Sequence, residues 1–346
     1  MSNPGYWDVQ SNPKAHKGEV ELDPNVEAQL LQFGAIAKSY HGHGASNWNT
    51  TAKINAEING KKIFYFLKLT NEPNACPMFE GEYESLKLIN KIIPKFSPEP
   101  LAWGKCKGLA EKPDEYFIMF TFHPLLKGNP PVPRFAEAVA QLHTLSMREY
   151  ATANPDGKFG FHITTYNGTL AQDNTWTRTW EEFFIRGMRR MLALEEISGG
   201  PNEQLQELSK PFFDKVIPRL LRPLETAGRS IKPVLLHGDL WLGNVSVKEG
   251  SEDQDPLMFD ASAFWGHNEY ELATMRPLEN EWAEEYYRAY HKLIPKSEPI
   301  DDWDARNALY ATRVIIHDAA LYPEKPHFRD MLIKEIQKLV DQFSLI

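Results

Sequence analysis

The stretch His237-Gly238-Asp239-Leu240-Trp241-Leu242-Gly243-Asn244, with Leu257-Met258-Phe259-Asp260 after it, decides the reading of this chain. Asp239 and Asn244 stand five residues apart, and Asp260 follows Asp239 by 21 residues, at the end of an apolar run. A carboxylate, a carboxamide and a second carboxylate at these intervals are the groups that phosphoryl transfer requires. One carboxylate takes the proton of an attacking hydroxyl, and the other two side chains hold Mg²⁺ against phosphate oxygens. The transferred group needs its charge neutralised and its attacking oxygen aimed more than it needs covalent help. Asp239 is therefore the expected catalytic base, Asn244 and Asp260 are the expected metal ligands, and ATP and Mg²⁺ are the expected cofactors. The competing reading is a polar loop between strands, with Asp239 capping a turn.

The surroundings agree with a site. Val234-Leu235-Leu236 reads as a short buried strand that delivers His237 to a loop. Val245 to Val247 and Leu257 to Phe259 read as two strands, joined across the polar segment from Lys248 to Pro256, so that Asp260 returns beside Asn244.

Upstream, Lys53 to Ile58 alternates as an exposed strand, Asn59-Gly60 signals a tight hairpin, and Ile63 to Leu69 is apolar on both faces except at Lys68. A lysine in such a run costs stability unless its ammonium finds an anion or reaches water along its stem. Lys68 is thus a candidate phosphate contact. Pro77 to Ile89 reads as an amphipathic helix with Phe79, Tyr83, Leu86 and Ile89 on one stripe. Glu82 lies beside that stripe and is the expected ion-pair partner of Lys68, with Glu80 as the alternative. Tyr40 to Thr50 carries Gly42, Gly44 and Ser46, where backbone amides can approach phosphate oxygens. Tyr116 to Phe120 is a further strand. Thr121 to Pro133 then loses periodicity and reads as the connector between two lobes, with adenine expected against the backbone of Phe120, Thr121 and Phe122. His41 and His43 lack the companions of a metal site, and His143 reads as a packing residue.

Length and composition bound the rest. The chain has 346 residues, 42% hydrophobic and 25% charged, as in a globular protein with a sizeable core. Its net charge of −9 argues against a nucleic-acid partner. Two cysteines, Cys76 and Cys106, form neither a disulfide framework nor a metal cage. Met1 to Val20 lacks the apolar core of a signal peptide, and no run is long enough to span a membrane, so the cytoplasm is the expected location. The expected division is an N-terminal extension over 1–24, a nucleotide-binding lobe over 25–122 and a catalytic and acceptor lobe over 123–346. The fold class is α+β: a small antiparallel sheet plus helix, then a larger, mainly helical lobe.

Beyond these motifs, the stretches Met78-Phe79-Glu80-Gly81-Glu82, Lys158-Phe159-Gly160-Phe161-His162, Asn174-x-Trp176-x3-Trp180-x2-Phe183-Phe184 and Gly266-His267-x-Glu269 resemble the fructosamine kinase (ketosamine-3-kinase) family, within the aminoglycoside-phosphotransferase-like group. The resemblance runs from about Gly42 to Tyr290. It implies a two-lobed protein-kinase-like fold and phosphorylation of the 3-hydroxyl of ketosamines, the adducts that sugars form with amines. The phosphorylated adduct then falls apart and frees the amine. The chain departs from the family at Asp260-Ala261-Ser262-Ala263, where Asp-Pro-Ala-Ser is usual, and at Glu271, where Asp is common. It has no cysteine between Tyr40 and Lys53, so an oxidation switch found in some members is not implied.

A helical pattern resumes at Glu269 to Ala273, which leaves no room for a peptide-docking activation segment. A small acceptor, or one carried on a flexible side chain, is expected. A cationic ketosamine calls for aromatic faces and carboxylates. Trp176, Trp241, His267 and Glu269 are the candidate substrate contacts, although His267 and Glu269 could instead orient the metal loop. Trp180, Phe183 and Phe184 read as core. The remaining alternatives are a kinase of the same fold for another small alcohol, such as an aminoglycoside or choline-like compound, and a non-catalytic nucleotide binder.

Overall fold

The computed structural model describes residues 14–15, 22–46, 48–108, 113–153, 156–278 and 281–343; most of the extension expected over 1–24 lies outside these. Five antiparallel strands form the N-terminal sheet: β1 (Ile36–Gly42), β2 (Thr50–Ile58), β3 (Lys61–Thr70), β4 (Pro100–Lys105) and β5 (Tyr116–Thr121), in the order β1-β2-β3-β5-β4. Asn59 and Gly60 both take positive φ, 50° and 78°, and set Ile58 opposite Lys61. This is the mirror-image turn whose twist matches the strands it joins.

β3 lies at the centre of the sheet, and alternation divides its side chains. Tyr65, Leu67 and Leu69 pack with Val26 and Leu30 of helix α1 (Pro24–Gln32). Phe66 and Lys68 face the other way, toward helix α2 (Ala75–Ile92). Both faces are covered and Lys68 is buried, so its charge is met by carboxylates inside the protein.

The rest of the chain is mainly helical. Helices α3 (Val132–Ala153), α4 (Trp180–Gly199), α5 (Asn268–Leu272), α6 (Glu281–Leu293), α7 (Trp303–Leu321) and α8 (Pro326–Phe343) enclose a core with Phe135, Trp180, Tyr286 and Tyr310 fully buried. Helix α3 begins earlier than its apolar pattern, with Pro133 in its first turn, where a missing N–H costs nothing. Within the expected connector, Leu125–Leu126 forms a short strand against Val247 and Lys248.

Four short strands complete the frame: β6 (Val234–Leu236), β7 (Val245–Lys248), β8 (Pro256–Met258) and β9 (Phe264–Gly266). β6 pairs with β9 and β7 with β8, with Val245 opposite Met258. The second pairing returns the chain so that Phe259 N–H donates to the Asn244 carbonyl at 3.0 Å, which sets Asp260 beside Asn244.

Candidate active site

The loop after β6 is held by its backbone. The Glu271 carboxylate accepts the amides of His237 and Gly238. The His237 ring bonds the Phe259 carbonyl at 3.0 Å, one residue before Asp260. Ser262 N–H donates to the His237 carbonyl at 2.9 Å. Gly238 has φ 84°, and a Cβ there would sit 2.2 Å from the Ser262 carbonyl oxygen, so only glycine lets the two loops approach this closely. At Gly243 the Trp241 ring occupies the place of a Cβ, so a side chain there would have to displace that ring.

The side chains of the site converge on this frame. Asn244 Nδ2 donates to the Asp239 carbonyl at 2.9 Å and to Asp239 Oδ2 at 3.0 Å. Asp260 adopts φ 60°, a left-handed conformation uncommon outside glycine and characteristic of constrained functional loops. Lys68 Nζ lies 2.6 Å from Glu82 Oε1 and 2.6 Å from Asp260 Oδ1. One ammonium thus ties the sheet to α2 and to the loop after β8. Glu80 is exposed and takes no part. Burial disfavours the Lys68 charge, but Asp260 and Glu82 outweigh it and keep the lysine protonated above its ordinary range. Burial, reinforced by the Asp318 and Asp260 charges, pushes the Asp239 carboxyl up to about 7 against the hydrogen bonds of Asn244 and Asn167.

A cavity of about 380 Å³ opens over these groups. Lys68, Glu82, Asp239, Asn244, Asp260 and Trp241 all line it. Gly42 closes β1 opposite Ala52, and Gly44 turns at φ 83° beside Thr51. Neither reaches the cavity, and of Ser46 only the backbone pairing to Lys14 is described. Trp48 and Asn49, a few residues further on, supply that wall instead. The Thr121 and Phe122 amides donate to the Glu99 and Phe64 carbonyls, so these two donors are spent within the sheet. Phe120 is buried, its ring 5.5 Å from Lys68 Nζ.

Three expected substrate contacts lie elsewhere. Trp176 packs against the core, and its Cα and ring crowd Gly160. His267 is buried, with one ring nitrogen on the Tyr310 hydroxyl and the other on Ser297. Glu269 is buried in an ion pair with Arg306 and accepts the Ser297 amide. These residues brace the helical core. Sequence spacing could not show this, because polar residues beside a metal loop look alike whether they face the cavity or the interior.

The Phe159-to-Trp176 stretch also serves as a brace. Asn167 Nδ2 bonds the Gly238 carbonyl and Ser262 Oγ, and Gln172 Nε2 bonds the Ser262 carbonyl. Ser85 of α2 accepts the Ala263 amide. The sequence reading missed the cavity wall formed by Val314, His317, Asp318 and Leu321 of α7, flanked by Arg313. Their i, i+3, i+4, i+7 spacing was visible, but it reads equally as a core-facing stripe. Trp48 lies over Gly168 and meets Tyr322, just past α7, at a ring separation of 6.4 Å, which roofs this end.

A family model described as Fructosamine kinase matches residues 35–342. The ketosamine-3-kinase of Mus musculus is 31% identical over 250 residues, covering 67% of this chain and 75% of the relative. A chloroplastic protein-ribulosamine 3-kinase of Arabidopsis thaliana is 29% identical over 258 residues, covering 71% of this chain and 67% of the relative. Among solved structures, a fructosamine-3-kinase candidate from Thermobifida fusca superposes with a TM-score of 0.71 at 20% identity, covering 91% of this chain and 98% of that one. An aminoglycoside phosphotransferase superposes with a TM-score of 0.52 at 17% identity, over 92% and 99%. At these identities the two structures establish the shared fold: a protein-kinase-like arrangement of an N-terminal sheet and a helical C-terminal part. No helix among the described residues is long and apolar enough to cross a membrane.

Proposed function

The chain belongs to the fructosamine kinase family, and on that ground we propose that it transfers the γ-phosphoryl group of ATP to the 3-hydroxyl of a ketosamine. The observation that carries this reading is the single ammonium of Lys68 bonded to both Glu82 and Asp260, beside the Asp239–Asn244 pair. Asp239 accepts the proton of the acceptor hydroxyl as its oxygen bonds to phosphorus and the bond to ADP breaks. A carboxyl held near neutrality by burial suits that task. Lys68 neutralises phosphate oxygens, and Glu82 fixes its position. Asn244 and Asp260 are oxygen donors on one wall of the cavity, the hard set that Mg²⁺ takes together with substrate phosphates, and they would hold it. When bound, Mg²⁺ would neutralise phosphate charge. Trp241 offers the acceptor an aromatic face, and Trp48 with Tyr322 shields that end of the cavity from water.

The test is chemical. With MgATP and fructoselysine or ribuloselysine, ³¹P NMR should show a sugar 3-phosphate that decays and releases lysine. Turnover of an aminoglycoside or a choline-like alcohol, with both ketosamines inert, would overturn the substrate while leaving the kinase.

A further inference from the structure

Tyr270 of α5 stands between two glutamates whose carboxylates are already engaged. Glu269 pairs with the buried Arg306, and Glu271 accepts the amides of His237 and Gly238, the two residues before Asp239. Thr274, one turn further along, donates its hydroxyl to the Leu240 carbonyl at 2.6 Å, just after Asp239. The segment that carries Tyr270 therefore grips the catalytic loop on both sides of Asp239. A side chain on that segment is held at a fixed spacing from the carboxylate, as a binding group must be if it is to orient a substrate.

The Tyr270 side chain joins two surroundings. Its ring meets those of Trp180, Phe184, Phe264 and Tyr310 at centroid separations of 5.4 to 6.5 Å. The residue nevertheless keeps 7% exposure and lines the cavity that holds Asp239. Two other buried tyrosines have their hydroxyls occupied: Tyr310 bonds Trp180 Nε1 and His267 Nδ1, and Tyr290 bonds His143 Nδ1 and Asn268 Nδ2. Among the described residues the Tyr270 hydroxyl has no such partner, and it is not one of the orphaned polar atoms sealed from the surface. It therefore opens on the cavity. Burial raises its pKa above the ordinary range, with Arg313 opposing and Glu271 and Asp239 adding, so the phenol stays protonated. A phenol O–H offers one donor and two acceptor positions, a match for an alcohol.

An acceptor that gives the proton of its 3-hydroxyl to Asp239 brings the adjacent hydroxyl, one carbon away, into the same cavity. We propose that Tyr270 is a specificity-determining residue of the acceptor site, its hydroxyl bonding the 4-hydroxyl of the ketosamine, next to the 3-hydroxyl that reacts. This rests on the ketosamine reading of the site. A hydroxyl held in place to pair with a substrate hydroxyl discriminates between epimers, because the wrong one leaves both groups without a partner in an enclosed site.

The experiment compares fructosyl-lysine with tagatosyl-lysine, which differ only in configuration at C4, as acceptors of the full-length enzyme with MgATP. The wild type should prefer one epimer by about fivefold or more in kcat/KM, chiefly through KM. Tyr270→Phe keeps the ring and its packing. It should lower kcat/KM for the preferred epimer by about two- to tenfold and bring the two epimers within about twofold of each other. MgATP affinity, measured by calorimetry, should not change. Equal use of both epimers by the wild type would overturn the proposal and leave the ketosamine reading standing. That comparison needs no variant, so it decides the matter even if Tyr270→Phe does not fold. A Tyr270→Phe enzyme that is slowed equally on both epimers, with the preference intact, would assign Tyr270 to the frame of the catalytic loop and also overturn it. If neither compound is phosphorylated while another alcohol is, the ketosamine reading falls and this inference with it.

Discussion

Asp239 owes its chemistry to neighbours that come from four separate parts of the chain. Asn244 fixes its orientation, Asn167 bonds the backbone beside it, and Asp260 and Asp318 crowd it with like charge. Asp239→Asn keeps the shape and removes the proton acceptor. Turnover should fall on the order of 10²–10⁴-fold while ATP affinity changes little, measured by steady-state kinetics and by calorimetry with nucleotide. A variant that turns over its acceptor at a near-normal rate would remove Asp239 from the base role. The residue types and intervals of this group were legible in the sequence, since five positions of a loop and a short hairpin set them. The like-charge neighbour Asp318 was not legible, because it arrives from a distant helix.

At the scale of elements, the site is a meeting of strand β3, helix α2 and the loop after β8, joined at one ammonium. The covered faces of β3 force Lys68 inward, and helical spacing puts Glu82 on the same side of α2 as the buried Met78, Ser85 and Ile89. If Lys68 and Glu82 act as a unit, Lys68→Met and Glu82→Gln should each depress kcat strongly. The double variant should then be little worse than either single one. Additive losses in that cycle would mean that Glu82 does not position Lys68. The choice of Glu82 over Glu80 followed from periodicity alone. The bond from Lys68 to Asp260 could not, since it joins residues of two separately folded hairpins.

Across the whole molecule, the helical body is stabilised by buried polar groups that the reading of the sequence had assigned to substrate. His267 is one of them. Burial, with Arg306 adding and Glu269 opposing, lowers its pKa to about 4. The unfolded imidazole takes a proton near 6.5 and the folded one resists it to about 4, so acid favours the unfolded chain between those values. The stability of the native protein should therefore fall more steeply than that of His267→Gln as the pH drops from about 6.5 to 4.5, by about 1.4 kcal/mol per pH unit. Urea unfolding of both proteins across that range checks it. Parallel slopes would mean that His267 is not the group that resists the proton.

The sequence by itself determined which residues meet in the group proposed for phosphoryl transfer, and it determined the class of fold. Asp239, Asn244 and Asp260 lie within one loop and one hairpin, and Lys68 and Glu82 within one strand and the next helix, so local periodicity and turn chemistry place each of them. Only the tertiary structure decided which polar and aromatic residues line the cavity. His267 and Glu269 turned inward and the half-buried Trp176 packs against the core, while Trp48, Arg313 and Asp318 came to the cavity. The physical reason is that a helix stripe buried against a core and one lining a cavity have the same pattern along the chain. They differ only in what they meet, and one stripe of α7 shares a cavity with Asp239 and Asn244.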